Sequence, residues 1–399
     1  MTDSHTRHAL SGIRVLDVTQ VMAGPFCAML LCDMGADVIK VEPPGGDATR
    51  GWGEGSATDT PAFNAVNRGK RGIVVDLKTP DGAAVVRRLA AETDILIENY
   101  RPGVMARFGL DYPRLRTENR GLIYAAISGY GQTGPSGGKG GFDLIAQGVS
   151  GIMSVTGETG GPPVKAGVPL TDLAAGLFAL GGILAALHHR SKTGDGQHID
   201  TSLVEAGIAL SVWEAAEYFT TGEPPRALGS AHRLTAPYQA VRCADGYVTV
   251  GAASDRLFER LSALLGHLEW VGEPEFATNA QRVKNREALA ARIESITSLQ
   301  PRAHWLDLFE ASGIPCGAIN SYAEVFADPQ IRARDMVVKT DHPTLGQIDT
   351  LGTPLKLSRT PLTPGRAAPV FGQHTDEVLT EIGFDPESIA RLRQTGAVA

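Results

Sequence analysis

Short apolar runs separated by polar, turn-rich stretches dominate the first third of the chain. Residues 13–17, 37–41, 72–76, 94–97 and 122–127 are such runs, each rich in Val, Ile, Leu or Ala. Their near-continuous hydrophobicity, without polar alternation, predicts strands covered on both faces. Helical patterns lie between them, one from Val21 to about Met34 with Pro25 in its first turn and one over Pro80–Ala91. This alternation predicts an α/β protein with a parallel, doubly wound sheet. In that architecture ligands bind beyond the carboxyl ends of the strands.

The most apolar stretch is 173–187, which contains no charged residue. Leu173, Leu177, Leu180 and Leu184 recur at helical spacing and predict a buried stripe. The run is shorter than the roughly 20 residues a bilayer demands, so it predicts a core helix and no membrane span. Asp172 stands just before it, after the turn bearing Pro169. Two readings of Asp172 stay open. It is either an N-cap, a position Asp favours, or a partly desolvated carboxylate nucleophile at the positive end of a helix.

Further on, 204–219 predicts one long helix and 221–234, rich in Gly, Pro and Arg, a linker. Residues 238–241 and 247–250 flank Asp245-Gly246 and predict a hairpin. Helical patterns near 256–265, 286–298 and 303–311 follow, so the centre of the chain reads as a smaller α+β domain. The stretch 337–371 is Pro-rich and reads as an extended return, and 376–382 and 386–394 as short helices. The domain boundaries expected are 1–220 and 331–399 for the large domain and 221–330 for the small domain with its linkers.

Composition narrows the function. The net charge of −7 argues against nucleic acid as a general partner, so any bound anion needs a local cluster of cations. The four cysteines have no zinc spacing and no CxxC, and predict reduced thiols in a cytoplasmic protein; Cys27 is expected to be packed. The N-terminus carries no apolar signal core. No HExxH or G-x-S-x-G occurs, and the paired His188 and His189 suit a helix C-terminus better than a metal. Gly129, Gly131 and Gly134 match G-x-G-x-x-G, but Pro135 to Lys139 continue as loop where a dinucleotide fingerprint opens a helix. Arg101, Arg107 and Lys139 adjoin strand-end loops and suit a ligand bearing several phosphates. Tyr100 and Phe142 could pack a base or thiol arm, or belong to the core.

Several segments, in order, carry a resemblance. Val15-Leu16-Asp17 with Ala23-Gly24-Pro25, Gly35-Ala36-Asp37-Val38-Ile39-Lys40-Val41-Glu42, Glu98-Asn99-Tyr100-Arg101-Pro102-Gly103, Asp172 before its apolar helix, and Gly372-Gln373-His374-Thr375 resemble the class III, formyl-CoA transferase-like CoA-transferases from about residue 10 to 395. The resemblance implies an intertwined homodimer of ring-like chains, each with a Rossmann-like large domain and a small domain. It implies no prosthetic group, with acyl-CoA and a small carboxylic acid as substrates. Asp172 would be the nucleophile, forming first an aspartyl mixed anhydride and then an aspartyl-CoA thioester. Val21, Met22 and Ala23 would flank the thioester. Lys78, Asn99, Tyr100, Arg101 and Arg107 would line the CoA path, and Lys139 and Phe142 the loop beside the reacting centre.

Two departures matter. The formyl-CoA branch has glutamine where this chain has Met22, which counts against oxalate as acceptor. Members that racemise 2-methylacyl-CoA have histidine where this chain has Phe142, so one of two proton-exchanging partners is missing. Thr19-Gln20-Val21, Ser128 to Pro135 and Pro237-Tyr238-Gln239-Ala240 are most similar to the succinyl-CoA:dicarboxylate branch. Arg50, His232 and Arg233 are candidates for the distal carboxylate of such an acceptor. The competing readings are a 2-methylacyl-CoA racemase and a CoA-binding protein without turnover.

Overall fold

The computed structural model describes residues 8–52, 59–362 and 364–399. The chain divides into two compact units. The first comprises the chain up to Ile152, Lys165–Thr220 and Pro329–Ala399, and the second Met153–Val164 and Thr221–Asp328.

The first unit is built on six parallel strands, β1 (Arg14–Asp17), β2 (Asp37–Glu42), β3 (Arg71–Val74), β4 (Ile95–Glu98), β5 (Ile123–Ser128) and β6 (His198–Ser202). Their order is β3-β2-β1-β4-β5-β6. The apolar runs become strands because helices cover both faces: β4 and β5 are buried along their whole length. The order of strands reverses between β1 and β4, so the loops leaving these two strands diverge and open a crevice.

β6 escaped the apolar-run reading because it is an edge strand of sequence His-Ile-Asp-Thr-Ser with alternating exposure. The opposite edge, β3, is sealed by the C-terminal Gly-Gln-His-Thr motif. His374 Nδ1 accepts from Gly72 N at 3.1 Å, and Thr375 Oγ1 accepts from Val74 N at 3.3 Å. Thr375 Oγ1 in turn donates to Ala399 O at 2.8 Å. Side chains thus occupy edge groups that would otherwise recruit another strand.

The core helix runs Leu170–Thr193, and the expectation about its buried face needs correction. Its 24 residues outrun 173–187 and take in Asp172, Arg190 and Lys192; they are long and apolar enough to cross a membrane by length and composition, a test that the core helix of a soluble protein also passes. Its buried face is not the leucine stripe: Leu177 and Leu184 are 53% and 37% exposed. The buried side chains are chiefly small, Ala174, Ala175, Gly176, Ala179 and Ala186, joined by Leu180 and Ile183. Small residues let this helix lie close against the helix Ala23–Asp33 and the sheet. A Cβ on Gly176 would sit 2.7 Å from the carbonyl oxygen of Ala23.

The long helix expected over 204–219 is two, Leu203–Leu210 and Val212–Thr221, interrupted at Ser211 (φ −88°, ψ 45°). The second unit holds the antiparallel strands β7 (Tyr238–Cys243), β8 (Gly246–Gly251) and β9 (Cys316–Ala318). Helices Asp255–Leu264, Arg286–Thr297 and Arg302–Ala311 share their core, around Val248, Phe258, Trp305 and Phe309. The segment read as an extended return contains a hairpin of β10 (Val337–His342) and β11 (Gly346–Leu351) in the first unit.

Candidate functional site

The loop after β1 crosses the crevice at the switch point, and buried charges hold it from below. Lys40 Nζ donates to Thr19 O at 2.6 Å and to Asp47 Oδ2 at 2.9 Å. Lys70 Nζ donates to Asp17 Oδ2 and Asn67 Oδ1, each at 2.8 Å, and to Pro25 O at 3.0 Å. Asp17, Lys40 and Lys70 are fully inaccessible and Asp47 nearly so. Burial alone would raise the Asp17 carboxyl, but Lys70 and Lys40 outweigh it and hold it low. Burial opposes Asp47 in the same way, yet Lys40 and the Thr49 amide keep it at about 2. The two ammoniums therefore have their compensation in place, as buried charges require. Residue types alone did not reveal this network, since a Lys within β2 resembles any strand-end cation.

From the side, Asn99 at the end of β4 ties the same loop down: Gln20 N donates to Asn99 Oδ1 and Asn99 Nδ2 donates to Gln20 O. Gln20 Nε2 also reaches Tyr100 Oη at 3.4 Å. Val21 follows with φ +71°, and the helix Ala23–Asp33 begins with Met22 as its N-cap and no side-chain cap bond. Among the described residues none accepts from the N–H groups of Met22, Ala23 or Gly24. These are the orphan donors of a helix start.

A cavity of about 420 Å³ opens here. Of the residues singled out from sequence, Val21, Met22, Ala23, Asn99, Tyr100, Arg101, Lys139, Phe142 and Asp172 all line it. Lys78 and Arg107 do not; both are exposed, Lys78 in the turn after β3 and Arg107 at the end of the short helix after β4. Arg101 and Lys139 make no ion pair with a described residue and remain available to an anion. Gly129 and Gly141 form the far wall, where their backbones touch: a Cβ on Gly129 would lie 2.7 Å from Gly141 N. The glycines once matched to a dinucleotide fingerprint thus include one that permits two loops to cross.

Asp172 is the third residue of the core helix, whose N-cap is Pro169 without a side-chain cap bond. The N-cap reading therefore fails. No described residue donates a hydrogen bond to its carboxylate. The cap role falls to Asp143, whose Oδ1 accepts from Thr171 N at 3.0 Å and Thr171 Oγ1 at 2.8 Å. Asp143 Oδ2 accepts from Gln147 Nε2 at 2.7 Å, and Gln147 Oε1 accepts from Ala166 N at 2.9 Å. Burial first, and then the negative charge of Asp143, push the Asp172 carboxyl up to about 7. Such a group is poised between its acid and its anion near neutral pH. Glu98 is likewise pushed up to about 7, by burial and by Asp200, but its Oε2 is occupied by Tyr100 N.

Other candidates are elsewhere. Cys27 is fully buried, and its thiol is driven above the ordinary range by burial and by Asp17. Arg50 is buried, grips Glu42 at 2.6 and 2.7 Å and lies over the Phe63 ring at 3.5 Å, which removes it from the candidates for an acceptor carboxylate. His232 and Arg233 belong to the second unit. Among the described residues no group of three or more His, Cys, Asp or Glu could hold a metal.

A doubly wound sheet with a carboxylate in its switch-point cavity, unbonded to any described residue, is the layout of an α/β protein with a site beyond its strand ends. The sequence matches the model for CoA-transferase family III over residues 10–375, and the chain belongs to that family. It is 42% identical to a succinate–glutarate CoA-transferase of Agrobacterium fabrum, over 96% of this chain and 98% of that one. It is 40% identical to the succinyl-CoA:glutarate CoA-transferase of Mus musculus, over 100% and 92% of the two chains. In three dimensions it resembles a CAIB/BAIF family protein of Brucella suis, with a TM-score of 0.85, 39% identity, and coverage of 94% of this chain and 100% of that one.

Proposed function

We propose that the protein moves CoA from succinyl-CoA to a small dicarboxylic acid, with Asp172 as the covalent nucleophile. The observation that carries this reading is the state of Asp172: a half-buried carboxylate, pushed up to about 7 and without a hydrogen bond from any described residue, in a cavity lined by the first turn of a second helix. A carboxylate stripped of donors keeps its lone pairs for a carbon electrophile.

The steps balance without proton transfer. An Asp172 oxygen attacks the thioester carbonyl, the oxyanion collapses, and the C–S bond breaks to release CoA thiolate and leave an aspartyl–acyl anhydride. The thiolate attacks the aspartyl carbonyl and expels the donor acid, leaving an aspartyl-CoA thioester. The acceptor carboxylate attacks that thioester, and the freed thiolate takes the new acyl group and restores Asp172. The orphan N–H groups of Met22 and Ala23 are suited to the oxyanions, which form where preorganised donors act most strongly. Arg101 and Lys139 suit the anionic parts of the carrier, and Tyr100 and Phe142 its apolar arm. Lys78 and Arg107, outside the cavity, would meet CoA only along its nucleotide end.

The working unit in this reading is a homodimer. Leu177, Phe178, Leu184, Trp213 and Phe219 are exposed on the core helix and the helix Val212–Thr221, an apolar area that a second copy would cover. The free thiols of Cys27, Cys32, Cys243 and Cys316 suit a reducing compartment, the cytoplasm. The decisive experiment supplies succinyl-CoA and then glutarate, mesaconate, citramalate or oxalate in turn, following new thioesters and the intact mass of the protein. A CoA adduct mapped to Asp172 and a new dicarboxyl-CoA are expected. Exchange without any adduct at Asp172, or no exchange with any acid, removes the reading.

A further inference from the structure

Val21 carries the one feature of the cavity wall that its own sequence disfavours. Besides Asp335, it is the sole non-glycine among the described residues at positive φ, at +71°. A β-branched residue there is a steric outlier that persists only when its surroundings over-determine it. Those surroundings are on the page. Val21 N donates to Asp47 Oδ2 at 3.2 Å. Asp47 is fixed in turn by Lys40 Nζ at 2.9 Å, by Thr49 N at 3.0 Å and Thr49 Oγ1 at 2.8 Å, and through its own N–H by Glu42 Oε2 at 3.0 Å. Lys40 also holds the carbonyl of Thr19, so the turn is gripped on both sides of Gln20.

We propose that Asp47 is a positioning residue for the transfer reaction: its bond to Val21 N holds Val21 left-handed and so sets the Met22 and Ala23 amides at the cavity. The proposal deepens the reading above and rests on it for its catalytic meaning. Released from Asp47, Val21 falls back to negative φ, the following peptide swings, and the first turn of the helix Ala23–Asp33 no longer presents its donors where the oxyanion forms. The substrate cavity, whose other walls come from β4, β5 and the core helix, stays open. The effect therefore falls on kcat and not on KM.

The test is a cycle on the full chain assayed by acyl exchange from succinyl-CoA. In Asp47 one carboxylate oxygen serves Val21 N and Lys40 and the other serves Thr49 N and Oγ1. Asp47→Asn leaves a single acceptor for all four donors and turns an NH₂ on one pair, and kcat is expected to fall at least tenfold with KM within twofold. Glycine adopts positive φ unaided, so kcat of the double variant Val21→Gly/Asp47→Asn is expected within threefold of Val21→Gly alone. An unchanged kcat in Asp47→Asn, or the same fall in the Val21→Gly background, overturns the proposal. Val21→Pro covers the case in which Asp47→Asn does not fold. It leaves Asp47 and Lys40 intact but forbids positive φ and removes the N–H, and wild-type kcat in that variant is equally fatal. A crystal structure of Asp47→Asn is expected to show Val21 at negative φ, and φ unchanged refutes the clamp. That readout stands even if the intact-mass experiment finds no adduct on Asp172, so the two failures are told apart.

Discussion

Asn99 and Gln20 hold each other by both backbone groups of Gln20, with Gln20 N donating to Asn99 Oδ1 at 2.9 Å and Asn99 Nδ2 donating to Gln20 O at 2.7 Å. One side chain at the end of β4 thereby closes the loop from β1 across the point where strand order reverses. Asn99→Ala leaves two partly buried backbone groups unpaired, at about 1–3 kcal/mol each way the loop cannot re-form them. The expected result is a lower Tm together with a reduced kcat/KM. Asn99→Asp, which keeps the acceptor and loses the donor, should fall between the two in thermal melts.

Asp172→Asn tests the nucleophile with its shape preserved. The carboxylate makes no hydrogen bond to a described residue, so stability should hold while transfer drops by several orders of magnitude. Circular dichroism and acyl-exchange rates, taken on one sample, check both halves.

The raised pKa of Asp172 has two consequences for pH. A nucleophile must be ionised, so kcat/KM for the acyl-CoA should climb through an apparent pKa near 7 and level off above it. Stability moves the other way. Between the unfolded carboxyl value near 4 and about 7 the native state binds more protons than the unfolded one, so this contribution is complete below the window and lost as pH rises through it. Urea melts at pH 5 and pH 8 should show the wild type losing stability relative to Asp172→Asn. No relative change would show that the group titrates normally.

Asp143→Asn separates charge from capping. Removing the negative charge should move the rising limb of kcat/KM to lower pH, since Asp143 adds to the elevation of Asp172. The amide can still cap Thr171 N, but its NH₂ faces the NH₂ of Gln147, and turning Gln147 would abandon Ala166 N. A loss of about 1–2 kcal/mol in denaturant unfolding is expected alongside the pH shift.

Gly176→Ala and Gly129→Ala probe the two close approaches. A methyl at 176 meets the Ala23 carbonyl and should push two core helices apart, with a cost of about 1–3 kcal/mol measured by urea melts. A methyl at 129 meets the backbone of Gly141 in the cavity wall, so kcat/KM should fall more steeply than stability.

Much of the frame was legible from one sequence. Five strands were readable as apolar runs because a strand covered on both faces has no reason to alternate, while β6, at an edge, is polar and was missed. Asp172 was found because a lone carboxylate before an uncharged helix is conspicuous. Its helix was misread: spacing of leucines marks an apolar stripe but not which stripe is buried. Gly176 against Ala23 shows that the close side is the one with small residues. The Cys316–Ala318 strand has too few residues to carry a period and is defined only by its partner β8.

By itself the sequence determined the class of fold, the place of the site beyond the strand ends, and the residue types from which a CoA-transferase of family III is recognised. These follow from local pattern and from motifs in a fixed order. Only the tertiary structure decided that Asp143, not Asp172, caps the core helix, that Asn99 and Asp47 grip the loop from two sides, and that Val21 is held left-handed. Each of those depends on distances between residues far apart in the chain, and hydrogen bonds and desolvation act over distance in space, which no linear spacing encodes.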